Sequence, residues 1–300
     1  MNRKKILYFG SLPPPVGGVS VFNEKFTTYL KENNNVFFFS FTNLFRFYNI
    51  SFINYSVTWK RFIAVLISFF ICKKTVVIVH SSQFEMGFFN FLTMLMCTKV
   101  LTTSNKVVDN SIMKHKFIKV NGLLFKEFFS SKVAKNKIDK SQYTILFYQF
   151  NNDRVNGEYI YGSDKMLNLL DNIRDNHDKL SIKVIWIDLS GEMEVAITPY
   201  FDFVEYIKKP VDLNKYWKDV DLLIRPTLFD GTAFMLVEAL LNGVNVLCSN
   251  LPDRPVGVHI IESEFRDISY NQVEDLILSD SILIDFEDLL PSINSFLCKI

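Results

Sequence analysis

Residues 219–258, DVDLLIRPTLFDGTAFMLVEALLNGVNVLCSNLPDRPVGV, leave few folds open to this chain. The short apolar run over 221–225 is closed by Pro226 and predicts a strand buried on both faces, as in a parallel sheet. A loop over 226–231 follows. Phe234, Val237, Leu240 and Leu241 then recur at helical spacing, which predicts a helix over 232–242. Gly243 stands where a left-handed residue caps a helix, and a second apolar run over 245–249 closes a strand–helix–strand unit. The loop opens onto the helix's first turn, where free backbone amides and the helix dipole attract anions such as phosphate.

Two acids frame that helix, Asp230 at its entrance and Glu238 eight residues on. Eight helical residues span about 12 Å, and the two side-chain directions differ by about 80°. One carboxylate can stand at the mouth of a cleft while the other reaches in from the second turn. That suits a ligand with an anion in its middle and hydroxyls at both ends, such as a nucleotide sugar. The plain alternative is an ordinary helix of a doubly wound sheet carrying two solvated acids.

The ordered string RPT, DG, VEAL, Gly243, SN and RP, with Asp230 and Glu238 as acid-x7-Glu, resembles the retaining glycosyltransferases of family 4. Asp230 departs from the Glu usual at the first acid, but Asp is common there in a bacterial polysaccharide subgroup. The resemblance implies an α/β chain of GT-B architecture: two doubly wound parallel-sheet Rossmann-like domains facing across a cleft. It also implies that Glu238 holds the ribose of the donor. Asp230, with the amides of Gly231 and Thr232, would address the sugar and the β-phosphate.

Charge divides the chain in two. Residues 1–135 carry 18 Lys/Arg and 5 Asp/Glu, a balance of +13, and residues 136–300 carry 15 and 27, a balance of −12, which sum to the overall +1. Such a split fits two domains, and a basic half fits an anionic partner. The partner expected is the anionic inner leaflet of a membrane, although mutual attraction of the two domains explains the same split. No nucleic-acid module is visible, so no nucleic-acid partner is expected. The four cysteines (Cys72, Cys97, Cys248, Cys298) show no metal spacing and read as reduced thiols. The first ten residues enter a strand directly, so neither a signal peptide nor a location outside the cytoplasm is expected.

Taken in order, a first strand over 4–10 leads to SLPPPVGGVS, where Gly17 and Gly18 permit close backbone approach at the start of a helix over 20–31. Relatives in the resembling family carry PPxxGGV here, facing the cleft on the acceptor side. Residues 42–60 read as an irregular aromatic loop with a short helix. Residues 59–72 read as an apolar helix too short to span a bilayer, expected to pack on the sheet. The strand over 75–80 ends in His80. Strand C-termini are where ligands collect in such folds, so His80 is a candidate catalytic residue, with a structural role as the alternative. A further strand over 100–104, a basic helix over 105–116 and a strand over 118–124 would complete a first domain, 1–135, that is short for the family and lacks an element.

The polar stretch 132–142 is the expected linker to a nucleotide-sugar domain, 136–285, and a helix over 289–297 could cross back to the first domain. In the second domain a strand over 144–150 is followed by a polar loop, 151–160, and a helix over 162–174. Family relatives place an Arg and a Lys in this loop. Here Arg154 is its one cation, followed by Tyr161 and Gly162, with Lys165 on the helix. Arg225 and Arg254 are further candidates for the diphosphate, Arg225 being equally readable as half of a buried ion pair.

The reading is thus of a retaining glycosyltransferase that needs no metal and no cofactor beyond its UDP- or GDP-linked substrate. Its acceptor would be a lipid-linked or oligosaccharide chain of a cell-surface glycan. A non-catalytic GT-B-like subunit is the alternative.

Overall fold

The computed structural model describes residues 3–13, 18–80, 87–102, 108, 111, 113–120, 125, 128, 141–176, 179–228, 234–251, 254–261, 267–279, 292–298 and 300. The chain divides into two units, Met1–Ser130 with Phe286–Ile300, and Ser131–Asp285. Each unit is built on a six-stranded sheet in which every pairing is parallel, with helices as the crossovers, so the expected doubly wound α/β class holds.

In the first unit the strands are β1 (Lys5–Phe9), β2 (Asn35–Phe38), β3 (Tyr48–Ile53), β4 (Cys72–Val79), β5 (Lys99–Thr102) and β6 (Phe117–Lys119), in the order β2-β1-β3-β4-β5-β6. The helices α1 (Gly18–Asn33), α2 (Thr58–Ile71) and α3 (Phe88–Met96) connect them. Strand side chains alternate between two buried faces. Leu7, Phe9, Val77 and Val79 cluster with Ala64 and Val65 of α2 and Met94 of α3. Tyr8 and Phe52 instead meet Phe26 of α1. On α1, Phe22, Phe26 and Leu30 recur at helical spacing and are fully buried.

Two expectations for this unit are corrected. The stretch taken as an irregular loop contains β3, which lies between β1 and β4, and the sheet has six strands. The polar residues that made β3 look like a loop are satisfied by neighbouring strands: Asn49 Oδ1 accepts from the Lys5 amide at 2.8 Å, and Ser51 Oγ donates to Thr75 Oγ1 at 3.3 Å. Helix α2 does lie on the sheet, through Arg61, Ala64, Val65 and Ser68 with Ile67 and Ile71 beside them, but Trp59, Ile63, Leu66, Phe69 and Phe70 are exposed. No helix among the described residues is long and apolar enough to cross a membrane.

The second unit has β7 (Tyr143–Gln149), β8 (Arg154–Val155), β9 (Glu158–Tyr159), β10 (Ile182–Asp188), β11 (Val204–Ile207), β12 (Leu222–Arg225), β13 (Asn245–Cys248) and β14 (His259–Ile260). Its helices are α4 (Ser163–Asp175), α5 (Glu194–Ile197), α6 (Phe234–Leu241) and α7 (Tyr270–Leu278). The main sheet runs β11-β10-β7-β12-β13-β14. Trp186 and Phe147 meet with ring centroids 4.6 Å apart, and Met166, Leu169 and Leu170 of α4 close the core over them. Gly243 ends α6 as the sequence implies: its φ is 67°, its amide bonds Leu240 O, and the Val244 amide bonds Ala239 O, both at 3.0 Å. The loop expected over 151–160 is instead a small antiparallel hairpin of β8 and β9, turned by Asn156 (φ 53°) and Gly157 (φ 85°).

The last helix, α8 (Ile293–Cys298), belongs to the first unit, where Phe296 meets Phe52 and Phe125. The four cysteines are free.

Candidate functional site

Each sheet has one place where the crossover direction reverses, between β1 and β3 in the first unit and between β7 and β12 in the second. At such a point the connections leave in opposite directions and open a crevice at the strand C-termini, where ligands bind. Of the described candidates, Tyr161, Gly162 and Arg225 lie at the second of these places, and His80 is linked to the first through Asn54 and Asn23.

In the second unit, the turn into α4 and the loop after β12 meet across the switch point. Gly162 has φ 73°, and a Cβ on it would lie 2.5 Å from Pro226 O and 2.7 Å from Pro226 Cγ. Only glycine admits that approach. The Leu228 amide donates to Ile160 O at 2.8 Å and fixes it. Gly162, expected as a donor-site residue, is therefore first a joint between two loops. Tyr161 beside it has its ring 5.8 Å from the Arg225 guanidinium at the end of β12. Arg154 lies over the Tyr159 ring, 4.0 Å from its centroid, and donates to the Tyr159 hydroxyl, so it is held on the hairpin.

Arg254 explains the spacing of the RPT, SN and RP segments. Its guanidinium donates to Thr227 Oγ1, Ser249 Oγ and Ser249 O, each at 3.2 Å, while Ser249 Oγ donates to Thr227 O at 2.6 Å. One arginine thus ties the loop after β12 to the loop after β13, on either side of α6. Glu238 lies half-buried on α6. Asp230, Gly231 and Thr232 lie outside the described residues, as does Gly17; Gly18 is the first residue of α1.

Sequence reasoning noted Lys165 without counting it in the site, and it missed two acceptors. Lys165, in the first turn of α4, is 5% exposed, with its ammonium 3.7 Å from Glu158. The buried Asp164 Oδ1 and Asn152 Oδ1 have no hydrogen-bond partner among the described residues. Buried acceptors left unpaired in a protein are rare and point to water or a ligand. Their position, just after a strand and at a helix start, was the available signal. Asp188, at the end of β10, is different. Burial would raise its carboxyl, but bonds from Tyr206, Ser190, Gln149 and the Met193 amide outweigh that and hold it below the usual carboxylate range. It organises its own turn.

In the first unit, His80 follows β4 and ends a buried polar chain. Asn23 Nδ2 donates to Ser11 O at 2.7 Å. A carbonyl only accepts, so this bond fixes the Asn23 amide and turns its Oδ1 inward. That oxygen accepts from Tyr8 OH at 2.6 Å and from Asn54 Nδ2 at 2.5 Å. Asn54 Nδ2, now fixed as a donor, lies 2.9 Å from His80 Nε2. Nε2 must accept, which leaves the proton on Nδ1 and the ring neutral. Burial, and secondarily the charge of Arg61, push the His80 pKa down to about 4, in keeping with that. The Phe22 ring stands edge-on to the imidazole at 4.9 Å. With Nε2 held by Asn54 and the proton on Nδ1, His80 presents one N–H donor rather than a base. Gly10 makes room for the chain, since a Cβ there would lie 2.9 Å from both Asn23 Nδ2 and Tyr8 Cε1.

No protein-family model matches the sequence, and no curated protein does. Solved structures do. The chain is similar to HepE of Anabaena in complex with UDP and glucose, at 13% identity and a TM-score of 0.62, over 96% of this chain and 94% of that one. It is similar to a glycosyltransferase of Rickettsia africae at 12% identity and a TM-score of 0.64, over 100% and 97%. It is also similar to the apo form of the lipopolysaccharide outer core galactosyltransferase WaaB, at 11% identity and a TM-score of 0.63, over 99% and 100%. The fold is the one these GT-B glycosyltransferases share.

Proposed function

We propose that this chain is a glycosyltransferase that takes its sugar from a nucleotide-sugar donor bound on the second unit. The observation that carries the reading is the content of that unit's switch point. Arg225, the buried Lys165 and the unpaired acceptors Asp164 and Asn152 collect there, on a fold shared with HepE, which was crystallised with UDP and with UDP-glucose. Cations suit a diphosphate, and buried acceptors suit the hydroxyls and N–H groups on either side of it. In this reading Glu238 takes the ribose hydroxyls, and Asp230 with the amides of Gly231 and Thr232 takes the sugar and the β-phosphate.

As the glycosidic bond breaks, charge develops on the leaving diphosphate. Amides and cations already in place stabilise it there without reorganising. Arg254 serves by holding the two loops around α6, and His80, on the first unit, serves as a neutral N–H donor toward the acceptor. Retention is part of the proposal that rests on the family resemblance, metal independence rests on the lack of a DxD pair placed to bind a metal, and a lipid-linked glycan as acceptor rests on the basic first half of the chain. WaaB, a lipopolysaccharide galactosyltransferase on the same fold, favours a cell-surface glycan.

The test is thermal stabilisation by UDP, GDP, CMP and their sugars. A ligand at about 100 times its dissociation constant adds about 2.7 kcal/mol, a shift of a few degrees for a chain of this size. Stabilisation by one base supports the reading and identifies the donor class. Glu238→Ala should weaken that binding about tenfold, the worth of a lost hydrogen bond to a charged group. Asp230→Ala should lose turnover and keep nucleoside diphosphate affinity. Silence of the folded protein across the whole panel transfers the weight to the non-catalytic subunit.

A further inference from the structure

A helix on a sheet ordinarily buries its apolar stripe and turns its polar face outward. The pair α2 and α3 departs from this on its outer side, where apolar residues stand in place of a polar face. Toward the sheet α2 presents Arg61, Ala64, Val65 and Ser68, and α3 presents Asn90, Thr93 and Met94. Arg61 is satisfied there by Asn90 Oδ1 at 3.1 Å and by the carbonyls of Tyr55 and Ser56 at 2.9 and 3.0 Å. Outward, α2 shows Trp59, Ile63, Leu66 and Phe70, spaced four, three and four, and α3 shows Phe88 and Phe91. Phe70 is 69% exposed and Phe88 71%. Phe62 and Phe89, with ring centroids 5.4 Å apart, join the two helices into one face. Single exposed apolar residues are ordinary, but a continuous aromatic face on two adjacent helices marks an interaction surface.

The charge around this face selects its occupant. Residues 58–119 carry nine Lys/Arg and two Asp/Glu, and neither helix contains an acid. Lys73 and Lys74 at the start of β4, Lys99 at the start of β5, and Lys114 and Lys116 just before β6 lie in one row along the strand N-termini, beside the C-terminal ends of α2 and α3. Lys116 marks the proximity directly, donating to Met94 O, Leu95 O and Cys97 O at 2.7, 2.9 and 2.9 Å. The described acids of this unit, Glu24 and Glu32, are on α1, which covers the other face of the sheet. A second copy seated face to face would set like charges against each other. A surface with apolar chains below and negative headgroups at the rim fits both features.

We infer that the outer face of α2 and α3 docks on an anionic lipid bilayer, with the aromatic side chains at the level of the headgroups and acyl-chain ends and the exposed Lys73 and Lys114 toward the lipid phosphates, while Lys74, Lys99 and Lys116 donate to backbone carbonyls and add their charge to the rim. The helices lie in the plane of the interface and do not cross it. This inference does not depend on the transferase reading.

The chain carries its own reporter. Of its three tryptophans, Trp186 and Trp217 are buried in the second unit, while Trp59 is 53% exposed on this face. The full-length protein is titrated with vesicles of phosphatidylcholine alone and of equal parts phosphatidylcholine and phosphatidylglycerol. The expected result is a blue shift of Trp59 emission with the anionic vesicles only, quenching by brominated lipid, and co-sedimentation that weakens with salt. Ile63→Ser with Phe70→Ser, and separately Lys73→Glu with Lys114→Glu, should each lower partitioning about tenfold or more. Both pairs are exposed, so melting temperature and nucleotide-induced stabilisation should stay as in the parent, which separates failure here from failure of the donor site. Unchanged Trp59 emission in a folded protein overturns the inference. Equal binding to neutral vesicles overturns it, as does self-association without vesicles that Phe70→Ser abolishes.

Discussion

Gly162→Ala should destabilise the second unit by about 3 kcal/mol, the sum of two separate costs. The first is conformational: φ is 73°, and an L side chain in the left-handed region costs about 1 kcal/mol. The second is steric. The added Cβ would lie 2.5 Å from Pro226 O and 2.7 Å from Pro226 Cγ. Neither atom can swing aside, because one belongs to the backbone and the other to a closed ring, and the loop is held by Leu228 N on Ile160 O and by Ser249 Oγ on Thr227 O. Forcing a close-packed contact of this kind costs about 1–3 kcal/mol. Gly157→Ala is the control. Its φ is 85°, but nothing lies within 4 Å of the added Cβ, so it should cost only about 1 kcal/mol. Denaturant unfolding of the two variants gives the comparison. Equal losses would mean that the approach of Gly162 to Pro226 is not close in the folded protein.

That contact also shows what the sequence could and could not convey. Residues 219–258 were legible because each local signal agreed with the next: a buried strand, a proline, a helical stripe, a glycine cap and a second strand. The reason for RPT, SN and RP was not legible, since Arg254 meets Thr227 across 27 residues and does so as a structural tie. Strand β3 was missed for a related reason. A central parallel strand has no alternation to display, and Asn49, Ser51 and Asn54 find their partners on other elements, so the segment resembles a polar loop. The β8–β9 hairpin carried its Asn156–Gly157 signature, but two-residue strands give no flanking pattern. Helix α2 was recognised as apolar, while periodicity alone does not tell an inward stripe from an outward one when the buried face includes Arg61 and Ser68.

His80 shows the same division. Its place at a strand end was legible; its protonation state was not, because that is set by a chain running back through Asn54 and Asn23 to the Ser11 carbonyl.

Between about pH 6.5 and pH 4, His80 alone should remove up to about 3 kcal/mol of stability. Its folded pKa is about 4 against a reference value of 6.5, and each unit is worth about 1.4 kcal/mol. The sign follows from proton counting. In that window the unfolded chain binds a proton that the folded chain refuses, so stability rises with pH across it and is lost on acidification. Arg61 is the charged group that acts on the ring beyond burial, and it acts in the same direction. Asp188, whose carboxyl is held low, loses its contribution only below about pH 4, where the unfolded carboxyl takes up its proton, so the two windows are separable. Ring-nitrogen NMR should show the Nδ1–H tautomer throughout the upper range. Asn54→Ala removes the donor that favours a bare Nε2 and should raise the His80 pKa by about one unit, the worth of one hydrogen bond. His80→Phe should flatten the stability profile between pH 4 and 6.5. If the profile keeps its slope in His80→Phe, or if Nε2 carries the proton in the parent protein, the polar chain from Ser11 to His80 does not govern this residue. If both expectations hold, His80 meets its ligand as a fixed hydrogen-bond donor, and any general base must come from elsewhere.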